Sequence, residues 1–105
     1  MKPTVLMLAA ASLLLTAGTV FAAGQVVGAA PKGDAMAVAA RIIKHDFPGC
    51  KYVSTASRNP KDGTIRAKCD GTDYVVFTVF NANTAKTREV ALECSVAKSL
   101  FNVSC

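Results

Sequence analysis

The sequence predicts an α+β domain: an N-terminal helix packed on a four-stranded antiparallel meander sheet, a short C-terminal helix and two disulfides. Three observations carry that expectation. An apolar stripe of helical period lies between Asp34 and Pro48. Runs of period two flank the turn formers RNPKDG and CDGT. Four cysteines are spread over residues 50–105 of a 105-residue chain.

The first helix starts at Asp34, a residue type that caps helices by accepting an N–H bond from the first turn. Met36, Ala39, Ala40, Ile43 and Phe47 fall at i, i+3, i+4, i+7 and i+11, so they share one face. Ile42 widens that face, and Arg41 and Lys44 lie off it. Pro48-Gly49 ends the helix.

Four strands follow. KYVSTAS and TIRAKC flank RNPKDG, where Pro60 fixes one torsion and Gly63 accepts positive φ, so the chain reverses. Asp70-Gly71 is a tight-turn pair. Residues 74–80, YVVFTVF, are the most strand-like run in the chain. NANTAKT is a polar connection, and REVALEC alternates Val90, Leu92 and Cys94 against Glu89, Ala91 and Glu93. A final segment, SVAKSLF, suits a short helix capped by Ser95 with Val96 and Leu100 on one face. The helices are expected to cover one face of the sheet.

A two-residue turn at Asp70-Gly71 sets the register by parity, and a three-residue turn would swap the grouping. With the two-residue turn, Ile65, Ala67 and Cys69 share a face with Tyr74, Val76, Thr78 and Phe80, and Arg66 and Lys68 share the other with Val75, Phe77 and Val79. The third strand is therefore apolar on both faces. Helices on one face leave the other open. Either the lead-in or the terminal helix covers it, or it is a recognition surface in which Phe77, Val75 and Val79 supply apolar area and Arg66 and Lys68 supply charge.

The chain opens with Lys2, an apolar Leu/Ala-rich stretch and Val20-Phe21-Ala22, the layout of a secretory signal peptide cut after Ala22. Residues 1–22 are thus read as a leader, 23–33 as a flexible lead-in rich in Gly, Ala and Pro, and 34–105 as one small domain. Removing residues 1–22 of 105 leaves 83, and no membrane span remains. Lys2 leaves with the leader, which lowers the formal charge from +5 to +4. The expected location is the periplasm or the extracellular medium. Export favours disulfides, and a core of this size gains from them because each closed loop restricts the unfolded chain.

Folding back around Pro60 brings Cys50 near Cys69, which makes a hairpin staple the simplest of the three possible pairing schemes and leaves Cys94 with Cys105. Spacings of 19, 25 and 11 residues contain no close pair of the kind a structural zinc uses, and no Cys-x-x-Cys for thiol exchange. No metal or cofactor is expected. His45 is the one histidine, and its neighbour Asp46 should diverge from it on the helix. Glu89 and Glu93 would lie about 13 Å apart on a strand, beyond the spacing of a glycosidase pair. The scattered charge argues against nucleic acid.

These features fit a small exported, non-catalytic protein-binding module, of the inhibitor or immunity-partner kind, acting on an envelope or secreted enzyme as a monomer or weak homodimer. Two alternatives stand beside it. One is an accessory component of an envelope assembly. The other is a small hydrolase with a free cysteine nucleophile.

Overall fold

The computed structural model describes residues 20–21 and 24–105. The expected leader, apart from Val20–Phe21, lies outside these residues. The chain order is β1 (Val20–Phe21), β2 (Gln25–Gly28), α1 (Ala35–Asp46), β3 (Val53–Arg58), β4 (Ile65–Cys69), β5 (Thr72–Asn81), β6 (Lys86–Glu93) and α2 (Cys94–Phe101). The α+β class and the disulfides Cys50–Cys69 and Cys94–Cys105 are present.

The four-stranded meander is not. Among the described residues the sheet has six strands, in the order β1-β2-β5-β4-β3, with β6 on the other edge of β5, and every pairing is antiparallel. The cause is a mismatch of lengths. Asp70 and Gly71 both take positive φ, 49° and 83°, in a two-residue turn that pairs Cys69 with Thr72. β4 then runs out at Ile65, opposite Val76, and β5 continues for five more residues. Its bare backbone groups need partners. β2 supplies them by pairing Gln25 to Gly28 with Asn81 to Thr78. Part of the segment read as a flexible lead-in is therefore a sheet strand.

The helices also do not share a face. α1 covers one side of the sheet. There Val38, Ala39, Ile42 and Ile43 pack on Val53, Ile65, Ala67, Cys69, Tyr74, Val76 and Ala91. The Asp34 carboxylate caps α1 by accepting from the Ala37 N–H at 2.9 Å, and Lys44 and His45 sit in the last turn, where cations suit the dipole. The buried arc is centred on Val38 and Ile42, so Met36 lies at its rim and is exposed. On the opposite side Val75, Phe77, Val79 and Val90 are covered by Ala97, Val103 and the flanking Val27, Leu92 and Phe101.

The second cover depends on the phase of α2. The helix follows β6 without a loop, and Glu93, with no side-chain cap bond, stands where Ser95 was expected. That junction turns Ala97 and Phe101 to the sheet and leaves Val96 and Leu100 outward, Leu100 at 60% exposure. Asn102 closes the helix in the left-handed region, φ 56°, donating to the Lys98 carbonyl. This is the αL type of closure, and the Val103 N–H reaches back to the Ala97 carbonyl with its side chain in the core.

Arg58 locks the crossing between β2 and α1. Its guanidinium donates to four carbonyls: Nη1 to Ala30 (3.3 Å) and Gly63 (3.0 Å), and Nη2 to Pro31 (2.7 Å) and Gly33 (3.0 Å). Gly63, at φ +76°, lies so close to Ala29 that a Cβ would sit 2.6 Å from the alanine methyl. The crossing and the turn thus touch backbone to backbone.

Three measurements follow from this packing. Phe77 is fully buried and meets the Phe101 ring edge-on at 5.5 Å. Phe77→Ala should lower the denaturant-derived unfolding free energy by about 3–5 kcal/mol; a loss below about 1 kcal/mol would contradict this packing. Arg58→Ala should cost about 2 kcal/mol, and Arg58→Lys should restore only part of it, because a point charge cannot span four carbonyls.

The third concerns Tyr74, whose ring packs on Phe47 at 4.9 Å. Burial, with smaller contributions from the Glu93 and Asp70 carboxylates, pushes its phenol up. The folded state favours the neutral phenol. Its stabilising contribution is thus complete below about pH 10 and is lost as pH rises through the folded pKa. In Tyr52→Phe, Tyr74 is the one tyrosine left of two. Phenolate absorbance of that variant should rise with a midpoint above about 10, and a midpoint at or below it would refute the assignment.

Candidate functional site

α2 packs chiefly on β5 and β6. The face it covers therefore stays open over β3 and β4, and the residues pointing there are polar. Register places Thr55 beside Lys68, Ser57 beside Arg66, and Lys68 beside Asp73. With the Asn59-Pro60 turn and Ser104 and Cys105 of the tail, they line an open groove of about 590 Å³.

Local sequence explains each position. Period two in IRAKC sends Ile65, Ala67 and Cys69 to α1 and Arg66 and Lys68 to the groove. The turn below the groove is rigid. Asn59 Oδ1 accepts from the Lys61 N–H, and Asp62 Oδ1 accepts from both the N–H and the hydroxyl of Thr64, at 2.8–2.9 Å. Lys68 Nζ pairs with Asp73 Oδ1 at 3.1 Å. Arg66 is exposed and has no acidic partner among the described residues.

The five residues expected to form a recognition face are therefore divided. Arg66 and Lys68 reach the surface side by side. Val75, Phe77 and Val79 are at 0, 0 and 2% exposure beneath α2 and Val103, and they present no contact surface. Sequence reasoning missed Thr55, Ser57, Asp73 and Ser104. Asp73 was recoverable from the parity of the Asp70-Gly71 turn itself, and Thr55 and Ser57 by carrying that parity one strand further, across the hairpin at Pro60.

A second cleft, of about 390 Å³, lies between α1 and β6 and is lined by Arg41, Ile42, His45, Asp46, Arg88 and Glu89. Arg41 binds Glu89 with both guanidinium nitrogens, at 2.7 and 3.3 Å. This hydrogen bond is the main reason that the Glu89 carboxyl is held below, and the Arg41 guanidinium above, their ordinary pKa values. Asp46 Oδ2 accepts from the Ala91 N–H at 2.8 Å, and Asp46 Oδ1 meets His45 Nδ1 at 3.0 Å. The expected divergence of His45 and Asp46 is thus corrected: the Asp46 carboxylate is drawn toward β6, and the imidazole follows it. Among the described residues no hydroxyl or thiol lines this cleft. Arg41 and Asp46 work as a clamp between helix and strand.

The four cysteines offer no thiolate, because all are paired. Asp70 brings a carboxylate within 4.8 Å of both Cys50 and Cys69 sulfurs, but these are joined to each other, and Asp70 Oδ2 accepts from the Lys51 N–H at 3.1 Å. Among the described residues no helix is long and apolar enough to cross a membrane. No protein-family model matches the chain, and neither a curated protein nor a solved structure was found to be similar to it.

Proposed function

We propose that this chain is a small exported protein-binding module, carried to the periplasm or the medium by its leader, that recognises an acidic surface of a partner protein through the Arg66–Lys68 groove. The observation that carries this reading is Arg66: an exposed guanidinium without an acidic partner among the described residues, held on a rigid strand beside a groove of hydroxyls. An arginine so placed is suited to bidentate capture of a carboxylate. The paired cysteines argue against the alternative of a hydrolase with a cysteine nucleophile.

The test begins with capture from envelope and culture-medium extracts by the mature, oxidised protein. The affinity of the identified partner is then measured for the wild type and for Arg66→Glu/Lys68→Glu. The double reversal should weaken binding by about tenfold or more; because Lys68→Glu also sets a carboxylate opposite Asp73, Arg66→Glu alone serves as the control, and it should weaken binding with little change in unfolding midpoint. Undiminished affinity in the double variant would reject the groove as the contact surface. Capture that vanishes at raised salt and shows no stoichiometric partner would mean that the net positive charge binds without specificity.

A further inference from the structure

Building on that reading, we propose that the outer edge of β3 docks the partner by strand addition, taking an extended segment with acidic side chains at alternate positions.

The edge is open and its donors are identifiable. Among the described residues β3 pairs with β4 alone. The Asn59 N–H donates to the Thr64 carbonyl at 2.8 Å, which fixes the alternation along the strand. Ser57 and Thr55 turn their peptide groups toward β4, and Ala56 and Arg58 turn theirs outward. A shift of register between Val53 and Thr55 ends the regular edge at its other side. The available stretch is therefore 55–58.

Comparison with β6, which also has a single neighbour, shows what β3 lacks. β6 carries Lys86, Arg88, Glu89 and Glu93, and the outward N–H of Ala91 is taken by Asp46. These are the usual guards against edge pairing. β3 reads VSTASR, with no proline and only small, uncharged side chains before Arg58. Arg58 cannot guard it, because its guanidinium is committed to four carbonyls on the α1 side.

The same geometry selects the occupant. A strand added to β3 places every second side chain on the groove face, two strand spacings, or about 10 Å, from β4. Of the β3 side chains, Thr55 and Ser57 stand between that strand and Arg66, and both are short. A second copy of this chain would bring another Arg66 and Lys68 to the same groove, on a chain that is already net positive. Charge complementarity thus favours an acidic partner strand over self-pairing. Main-chain bonds would supply affinity and the alternate side chains selectivity.

The experiment uses ¹⁵N-labelled oxidised protein and a short end-capped peptide in which Glu alternates with Thr, with a Lys-for-Glu version as control. The expected result is slowed amide exchange at Ala56 and Arg58 on adding the Glu peptide and none with the Lys peptide. N-methylating alternate peptide residues in one of the two possible phases should weaken binding about tenfold, through the lost donors. Ala56→Pro, which removes an outward N–H only, should do the same. The inference is overturned by equal binding of the Lys peptide, by affinity indifferent to both N-methylation phases, or by no binding at all. Protection of Ala56 and Arg58 that grows with protein concentration and without peptide would also overturn it, in favour of self-pairing. None of these outcomes touches the charge-reversal test with the captured partner. A partner that still binds Ala56→Pro but not the charge reversal leaves the groove standing without the strand.

Discussion

The rest of the molecule is arranged around β5. This ten-residue strand is apolar on both faces and has backbone partners to find along both edges. Val76 and Tyr74 look one way; Val75, Phe77 and Val79 look the other. Each such side chain contributes about 1.5–3 kcal/mol when removed from water, so both faces have to be covered. One edge is satisfied by β6. The other is shared end to end by β4 and β2, which come from opposite sides of α1 in sequence. Leaving any of these places empty would expose either apolar surface or unpaired peptide groups at the centre of the domain.

The covering pieces are short, and each is tied. An eight-residue helix such as α2 has little stability of its own. Cys94–Cys105 fastens its first residue to the tail, and that tail carries Val103 into the core below it. On the other face Cys50–Cys69 joins the chain leaving α1 to the end of β4, so the longer helix is held where it meets the sheet. Closing loops of these lengths is worth about 2–4 kcal/mol per bridge in restricted unfolded chain. The non-covalent ties are placed in the same way. Arg58 gathers the β2–α1 crossing, and Asp46 with Arg41 fastens α1 to β6.

What could be read in the sequence was what neighbours in sequence decide. The Asp70-Gly71 turn set the parity that groups Ile65 and Ala67 with Tyr74 and Val76, and the same parity put Arg66 and Lys68 at the surface. Both pairings of cysteines followed from a hairpin and what it left over. The features that escaped are set by remote parts of the chain. QVVG has no alternation or turn signal to mark it as a strand; it becomes one because β5 outlasts β4. Val96 and Leu100 form an apolar pair at helical spacing, yet the junction between Glu93 and Cys94 fixes the helical phase and turns them outward. Val75, Phe77 and Val79 look like a spare surface until that phase is known, because only then does Ala97 lie over them.

The location of the open groove reduces to helix length. At 1.5 Å per residue, the twelve residues of α1 extend about 18 Å. Strands lie about 4.8 Å apart, so α1 can cross a whole row of four, and it contacts β3, β4, β5 and β6. The eight residues of α2 extend about 12 Å, enough for two strands and the space beside them. Starting directly from β6, it packs chiefly on β6 and β5. The β3–β4 hairpin is consequently bare on that side and can stay folded only if its outward residues accept water. Thr55, Ser57, Arg66 and Lys68 meet that condition. Lengthening α2 would cover them, so the shortness of that helix is what leaves a charged, hydroxyl-lined surface on a sheet whose centre is otherwise sealed.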